Sequence, residues 1–119
     1  MKTFEDLNVW KESKSLSLKI YSIKSISYRK DFGFKDQLQR ASVSVMSNIA
    51  EGFERNGNKE FIKFLYYSKG SVGEVRSLFS LAVDLEYIQA EEYKEFKEIC
   101  ISLSQQIANF IKYLDKTKK

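Results

Sequence analysis

Apolar residues recur along this chain at the spacing of helix faces rather than strand faces. The clearest run is Tyr93, Phe96, Cys100, Leu103, Ile107, Phe110 and Leu114, whose alternating steps of 3 and 4 trace a heptad seam. Such a seam belongs to helices packed at shallow angles. Glu91 and Glu92 stand at its start and Lys112, Lys116, Lys118 and Lys119 at its end, each favourable to the helix dipole. A second seam holds Phe61, Phe64, Leu65, Val72, Val75, Phe79, Ala82 and Leu85, with Asn58 placed to cap it. A third holds Phe34, Leu38, Ala41, Val45 and Ile49. Gly33, Gly57 and the stretch Glu86 to Ala90 interrupt the pattern, and there is no Pro. The spacing predicts helices near 6–28, 34–54, 58–86 and 90–116. Short connections between them predict an all-α, antiparallel up-down-up-down four-helix bundle, one domain over residues 1–119. Helices of about 27 residues span roughly 40 Å, so the molecule should be rod-like.

The first segment carries two stripes. Leu7, Trp10, Leu18, Tyr21 and Tyr28 share one face, and Val9, Leu16, Ile20 and Ile23 share another. A uniform helical rotation sets the two about 150° apart. Either the helix buries a wide face, or one stripe packs on another subunit. Val43, Ile62, Tyr66 and Ile101 also lie off their seams, which favours assembly, and Val9, Leu16, Ile20 and Ile23 are the expected oligomer contact.

A distinctive stretch runs from Gln37 to Gly52 and includes Gln37-Leu38, Arg40-Ala41 and Asn48-Ile49-Ala50-Glu51-Gly52. Its small residues Ala41, Ser42, Ser44, Ser47 and Ala50 would let a neighbouring helix approach closely. Gly52 falls where a left-handed helix cap is expected. Gly70 and Gly73 lie inside a predicted helix, where each costs up to about 1 kcal/mol relative to Ala. Close helix packing is the expected reason, because no strand precedes them and no Lys-Ser/Thr pair follows, as a phosphate loop would require.

These motifs, with Phe4-Glu5-Asp6-Leu7-Asn8-Val9-Trp10 at the start and Gly70-Ser71 and Glu74 further on, resemble the 23S rRNA-intervening-sequence protein family over nearly the whole chain. The resemblance implies a four-helix bundle in a bacterial setting, assembled as a homo-oligomer in the form of a closed ring, a pentamer in relatives. It also implies an RNA context, since similar bundles serve retroelements beside a reverse transcriptase. The family's usual Phe-Pro pair is missing from the first connection, Tyr28 to Gly33, which implies a looser turn there.

Composition narrows the chemistry. The chain has no His and a lone Cys100, so the usual zinc sets, Cys–His nucleophiles and Ser–His–Asp triads are unavailable. Glu51, Glu54, Glu60 and Glu74 do not make a di-iron site, which needs Glu-x-x-His pairs. Glu51 is better read as an ion-pair partner of Arg40 or Arg55, Asn48 as a polar anchor, and Cys100 as a small hydrophobe on its seam. The expectation is a protein without catalytic residue, cofactor or metal. The single Cys, the lack of an apolar leader in Met1 to Trp10 and the absence of any long apolar run point to a cytoplasmic protein that does not enter a membrane.

Net charge is only +4, but its distribution is uneven. From Lys14 to Ala50 seven basic residues face two acidic ones, and from Asp84 to Glu98 six acids face two lysines. An up-down bundle would bring these two regions to the same end. Lys24, Arg29, Lys30 and Lys35 are the expected contacts to RNA or DNA, through backbone charge, since no base-reading motif is present. Arg40 is expected to be structural. A protein–protein assembly module without nucleic-acid contact is the alternative reading.

Overall fold

The computed structural model describes residues 2–117. A single 3-10 turn, Phe4–Asp6, leads into five helices: α1 (Asn8–Tyr21), α2 (Ile26–Lys30), α3 (Phe32–Glu54), α4 (Asn58–Asp84) and α5 (Ala90–Lys116). Four are long and α2 is a five-residue insert. They pack into a rod of 48 × 21 × 19 Å around one core.

The predicted first helix is broken. A continuous helix over 6–28 is replaced by α1, a connection through residues 22–25, and α2. Serines account for the break, because their hydroxyls compete for backbone groups. Ser22 donates to the Leu18 carbonyl at 2.7 Å, and Ser25 accepts the Tyr28 N–H at 3.3 Å as the cap of α2. The break lets Ile23 and Tyr28 both enter the core, although uniform rotation would put them on different stripes. Asp31 then caps α3 by accepting the Phe34 N–H at 3.2 Å. α4 stops at Asp84, two residues short of expectation. Glu86 adopts a left-handed φ of 62°, while the Tyr87 and Glu86 N–H groups donate back to the Ala82 and Val83 carbonyls at 2.9 and 3.1 Å. That is a Schellman stop, and it leaves Leu85 exposed instead of in the seam.

The long helices neighbour one another in chain order, and α5 returns to touch α1 more loosely. Asn58, at the start of α4, donates to the Leu114 carbonyl near the end of α5 at 3.3 Å. Asp31, before α3, meets Tyr87, after α4. Lys19, late in α1, meets Glu95, early in α5. Buried serines tie the small-residue faces together. Ser17 donates to Ser42 across α1 and α3 at 3.2 Å, and Ser68 donates to the Val45 carbonyl across α4 and α3 at 2.7 Å.

Gly52 differs from its expected role. It lies inside α3 with no left-handed φ, and it is buried because α4 passes over it. A Cβ there would stand 2.7 Å from the Phe64 Cβ and 3.0 Å from the Phe61 ring. The left-handed glycine is Gly57, with φ 93° in the α3–α4 connection. Gly70 and Gly73 also depart from expectation: a Cβ at either would meet nothing within 4 Å, so no close helix contact explains them.

Candidate nucleic-acid interface

The break between α1 and α2 determines where the cations lie. Lys24 sits in the connection, Arg29 and Lys30 on the last turn of α2, and Lys35 on the first turn of α3. The chain thus folds all four to one end of the rod, around two adjoining hollows. One, of about 300 Å³, is lined by Lys24, Arg29 and Lys35 together with Tyr28 and Gln39. The next, of about 380 Å³, is lined by Ile26, Arg29, Lys30, Phe32 and Lys35. Arg29 and Lys35 border both.

Among the described residues, ion pairs form elsewhere: Lys19 with Glu95 at 3.2 Å, Arg40 with Asp36 at 2.8 Å, and Arg55 with Glu51 at 2.7 Å. None engages the four cations of the hollows. Of the two acids next to them in sequence, Asp36 is held by Arg40, and Asp31 is occupied by the Tyr87 hydroxyl, which donates to it at 2.6 Å. That bond, and then the Phe34 N–H, holds the Asp31 carboxyl below the usual carboxylate range. Tyr28, Phe34 and Tyr87 meet edge to face at 5.4 to 6.4 Å and fix this corner of the core. Tyr28 is only 1% exposed, and burial pushes its phenol pKa up. Gln39 lies close enough to temper that effect, yet its geometry falls short of a hydrogen bond, and the hydroxyl has no partner in the protein.

The acidic segment does come to the same end. A third hollow, of about 470 Å³ between α1 and α5, is lined by Lys19 and Lys24 on one side and Glu92 and Glu95 on the other. Acids therefore moderate the Lys24 side of the surface, while the Arg29, Lys30 and Lys35 side is free of carboxylate lining.

The oligomer-contact stripe requires correction. Val9, Leu16, Ile20 and Ile23 are all buried in the protein's own core and present no surface to a second copy. The exposed apolar residues of α1 are instead Leu18 and Tyr21, 60% and 56% exposed, from the other stripe. Val43, Tyr66 and Ile101 are exposed as well, whereas Ile62 packs on the core.

The remaining motif residues are structural in placement. Arg40 pairs with Asp36 one turn earlier, on the surface, and not with Glu51. Glu51 holds Arg55, whose guanidinium lies 4.9 Å from the Phe64 ring centroid. Half-buried Asn48 donates to Ser44 within its own helix, at 2.9 Å to the carbonyl and 3.0 Å to the hydroxyl, so it anchors α3 locally and bonds no neighbouring helix. Burial pushes the Cys100 thiol up to about 11, which makes it a poor nucleophile. Gly70 is exposed on α4. No three Cys, Asp or Glu side chains gather as a metal-binding group among the described residues. No described helix is long and apolar enough to cross a membrane.

Two exposed residues lie outside every seam of the sequence. Ile26 and Phe32 are 68% and 71% exposed at the rim of the second hollow. The signal was the pair Phe32 and Phe34, which a helix sets about 200° apart, so only one of them can face the core.

A solved structure of a protein of unknown function from the S23 ribosomal protein family of Bacteroides thetaiotaomicron VPI-5482 is similar in fold, with a TM-score of 0.80 and 22% identity. The similarity covers 87% of this chain and 98% of that one. No curated protein matches the chain in sequence. Residues 5–109 match the family described as 23S rRNA-intervening sequence protein, and the chain belongs to that family.

Proposed function

We propose that this chain is a non-enzymatic, oligomeric nucleic-acid-binding protein, an up-down-up-down antiparallel bundle that holds RNA or DNA against one end. The observation that carries the reading is the gathering of Lys24, Arg29, Lys30 and Lys35 round two hollows without a carboxylate partner for any of them. A solvated surface normally interleaves cations with acids, as the α1–α5 groove does here. The family's association with an intervening sequence of 23S rRNA agrees with a nucleic-acid partner. The end-to-start contacts of Asn58 with Leu114, Asp31 with Tyr87 and Lys19 with Glu95 support alternating helix directions.

One protomer offers about 3 or 4 phosphate contacts, which gives weak binding and a log–log salt slope of roughly −2 to −4. Self-association would repeat the patch and raise avidity without new contacts. Leu18 and Tyr21 on α1 favour such a contact, and they equally favour the second reading, a protein–protein assembly module. Changing Lys24, Arg29, Lys30 and Lys35 together to Glu separates the two readings. The expected result is loss of binding to structured RNA and duplex DNA with helicity and oligomeric state unchanged. Failure of the unmutated protein to bind either at low salt would leave the assembly module as the function.

A further inference from the structure

We propose that the basic end selects single-stranded over double-stranded nucleic acid, taking an unstacked base on Phe32 and the adjoining phosphate in the hollow beside Tyr28. The proposal rests on the nucleic-acid reading above and names the form of nucleic acid that the site takes.

Phe32 and Ile26 are the most exposed large apolar side chains among the described residues, and both line one hollow with Arg29, Lys30 and Lys35. Folding alone does not explain that placement, because Phe34 already fills the core position of this turn. A cation is already drawn to the ring: the Lys35 ammonium lies 5.2 Å from its centroid. An exposed ring set among cations can stack any base while the cations hold the flanking backbone. A duplex keeps its bases inside the stack and would leave the ring against water or phosphate. A single strand can turn a base out at no pairing cost.

The first hollow, the one beside Tyr28, supplies the phosphate half. It is reached across Arg29 and Lys35, which border both spaces, and it adds Lys24 and Gln39. Tyr28 is among its lining residues, and the Tyr28 hydroxyl, buried behind that lining, has no partner within the protein and lies toward Gln39, another lining residue. Buried hydroxyls are seldom left unbonded, so this one is suited to donate to an oxyanion held by the surrounding cations. Two concave spaces sharing two cations fit a nucleotide repeat, with base and phosphate side by side. An anionic bilayer would be met better by a flat, wider apolar surface.

The test measures anisotropy of a labelled, unstructured single-stranded RNA and of the same sequence in a duplex, titrated with the full chain. The unmutated protein should prefer the single strand. Phe32→Ala should weaken single-strand binding by about 5- to 150-fold, the range that loss of one stacked base produces, and leave duplex binding unchanged. Phe32→Trp should restore the preference. Tyr28→Phe should lower single-strand affinity by about tenfold, as expected for one hydrogen bond to a charged group. Circular dichroism of each variant checks that helicity is retained, and Phe32 is exposed enough for that to hold. Equal binding of both forms, unaffected by Phe32→Ala, overturns this proposal and leaves charge-based binding standing. No binding of either form at low salt overturns both. Binding to phosphatidylserine vesicles that depends on Phe32, without nucleic-acid binding, overturns it in favour of a membrane surface.

Discussion

The two ends of the rod are built from similar residues and use them differently. At the α3–α4 turn, Gly52 lets α4 cross so closely that Phe61 and Phe64 rest on it, and Phe53, Phe61 and Phe110 meet edge to face at 5.4 and 5.9 Å. Arg55 is consumed there by Glu51 and the Phe64 ring. A hollow of about 350 Å³ exists at this end too, but its cation is that same Arg55. At the opposite end Phe32 stands in solvent and Arg29, Lys30 and Lys35 have no acid to hold. Where an acid holds the cation and the rings pack on one another, these groups close the fold; cations without an acid beside an exposed ring remain available to a ligand. The Asn48 to Gly52 string that is most distinctive in the sequence therefore belongs to the closed end. The open end carries no comparable motif.

The strongest way to break that contrast is to fill the closed end. Gly52→Val places a branched side chain where even a Cβ stands 2.7 Å from the Phe64 Cβ. Overpacking of this kind typically costs 1–3 kcal/mol, so the urea midpoint should fall by an amount of about that size. Phe32→Ala at the open end should move it by less than about 0.5 kcal/mol, the usual range for a surface change. If Gly52→Val unfolds at the wild-type midpoint, α4 has room to move away, and the string is not there for packing.

That difference also decides what the sequence disclosed. Period-based seams located the four long helices because a stripe such as Phe96, Cys100, Leu103 and Ile107 has to be buried whatever surrounds it. The same method failed at residues 22–25, where Ser22 and Ser25 hydroxyls captured backbone groups and reset the helix phase. Uniform rotation turns the Ile20 and Ile23 stripe of α1 outward, yet both residues are buried, and Leu18 and Tyr21 take the exposed place. Gly52 was legible as special but not for its reason, since nothing local reveals which residue of another helix crosses it. The cations were legible from charge clustering alone. Their setting was not, because the two hollows exist only once α2 folds back between α1 and α3.

Glycine itself supplies a smaller test of the same contrast. Gly70 and Gly73 lie on α4 with open space around the Cβ position, and neither needs a left-handed φ. In an exposed helix interior, Ala is favoured over Gly by up to about 1 kcal/mol, largely through the unfolded chain. Gly70→Ala and Gly73→Ala should each raise the thermal midpoint, in the opposite direction to any substitution at Gly52. A loss of stability in either would reveal a contact at that position, such as one with a second copy of the chain, and the oligomeric state of the variant would show it.

The smallest expected effect lies at the open end, in the bond from the Tyr87 hydroxyl to Asp31. The Tyr87 hydroxyl, ahead of the Phe34 N–H, lowers the Asp31 pKa on folding. A carboxyl whose folded pKa lies below its unfolded value of about 3.9 adds stability above that pH and loses it as pH falls through the folded value. Tyr87 is linked to the same bond with the opposite sign. Donation to Asp31 raises its pKa above 10.0, so its contribution is present below that pH and fades as pH rises through the folded value. The pair should therefore help over a plateau bounded by the carboxylate range below and the phenol range above. Tyr87→Phe removes the bond and keeps most of the ring packing against Tyr28 and Phe34. Its urea midpoint should sit below that of the unmutated protein at pH 7, and the two should converge as pH falls through the lowered folded pKa of Asp31. A gap of the same size above and below that pKa would mean that Tyr87 contributes through ring packing alone, and that the Asp31 carboxylate is not held by it.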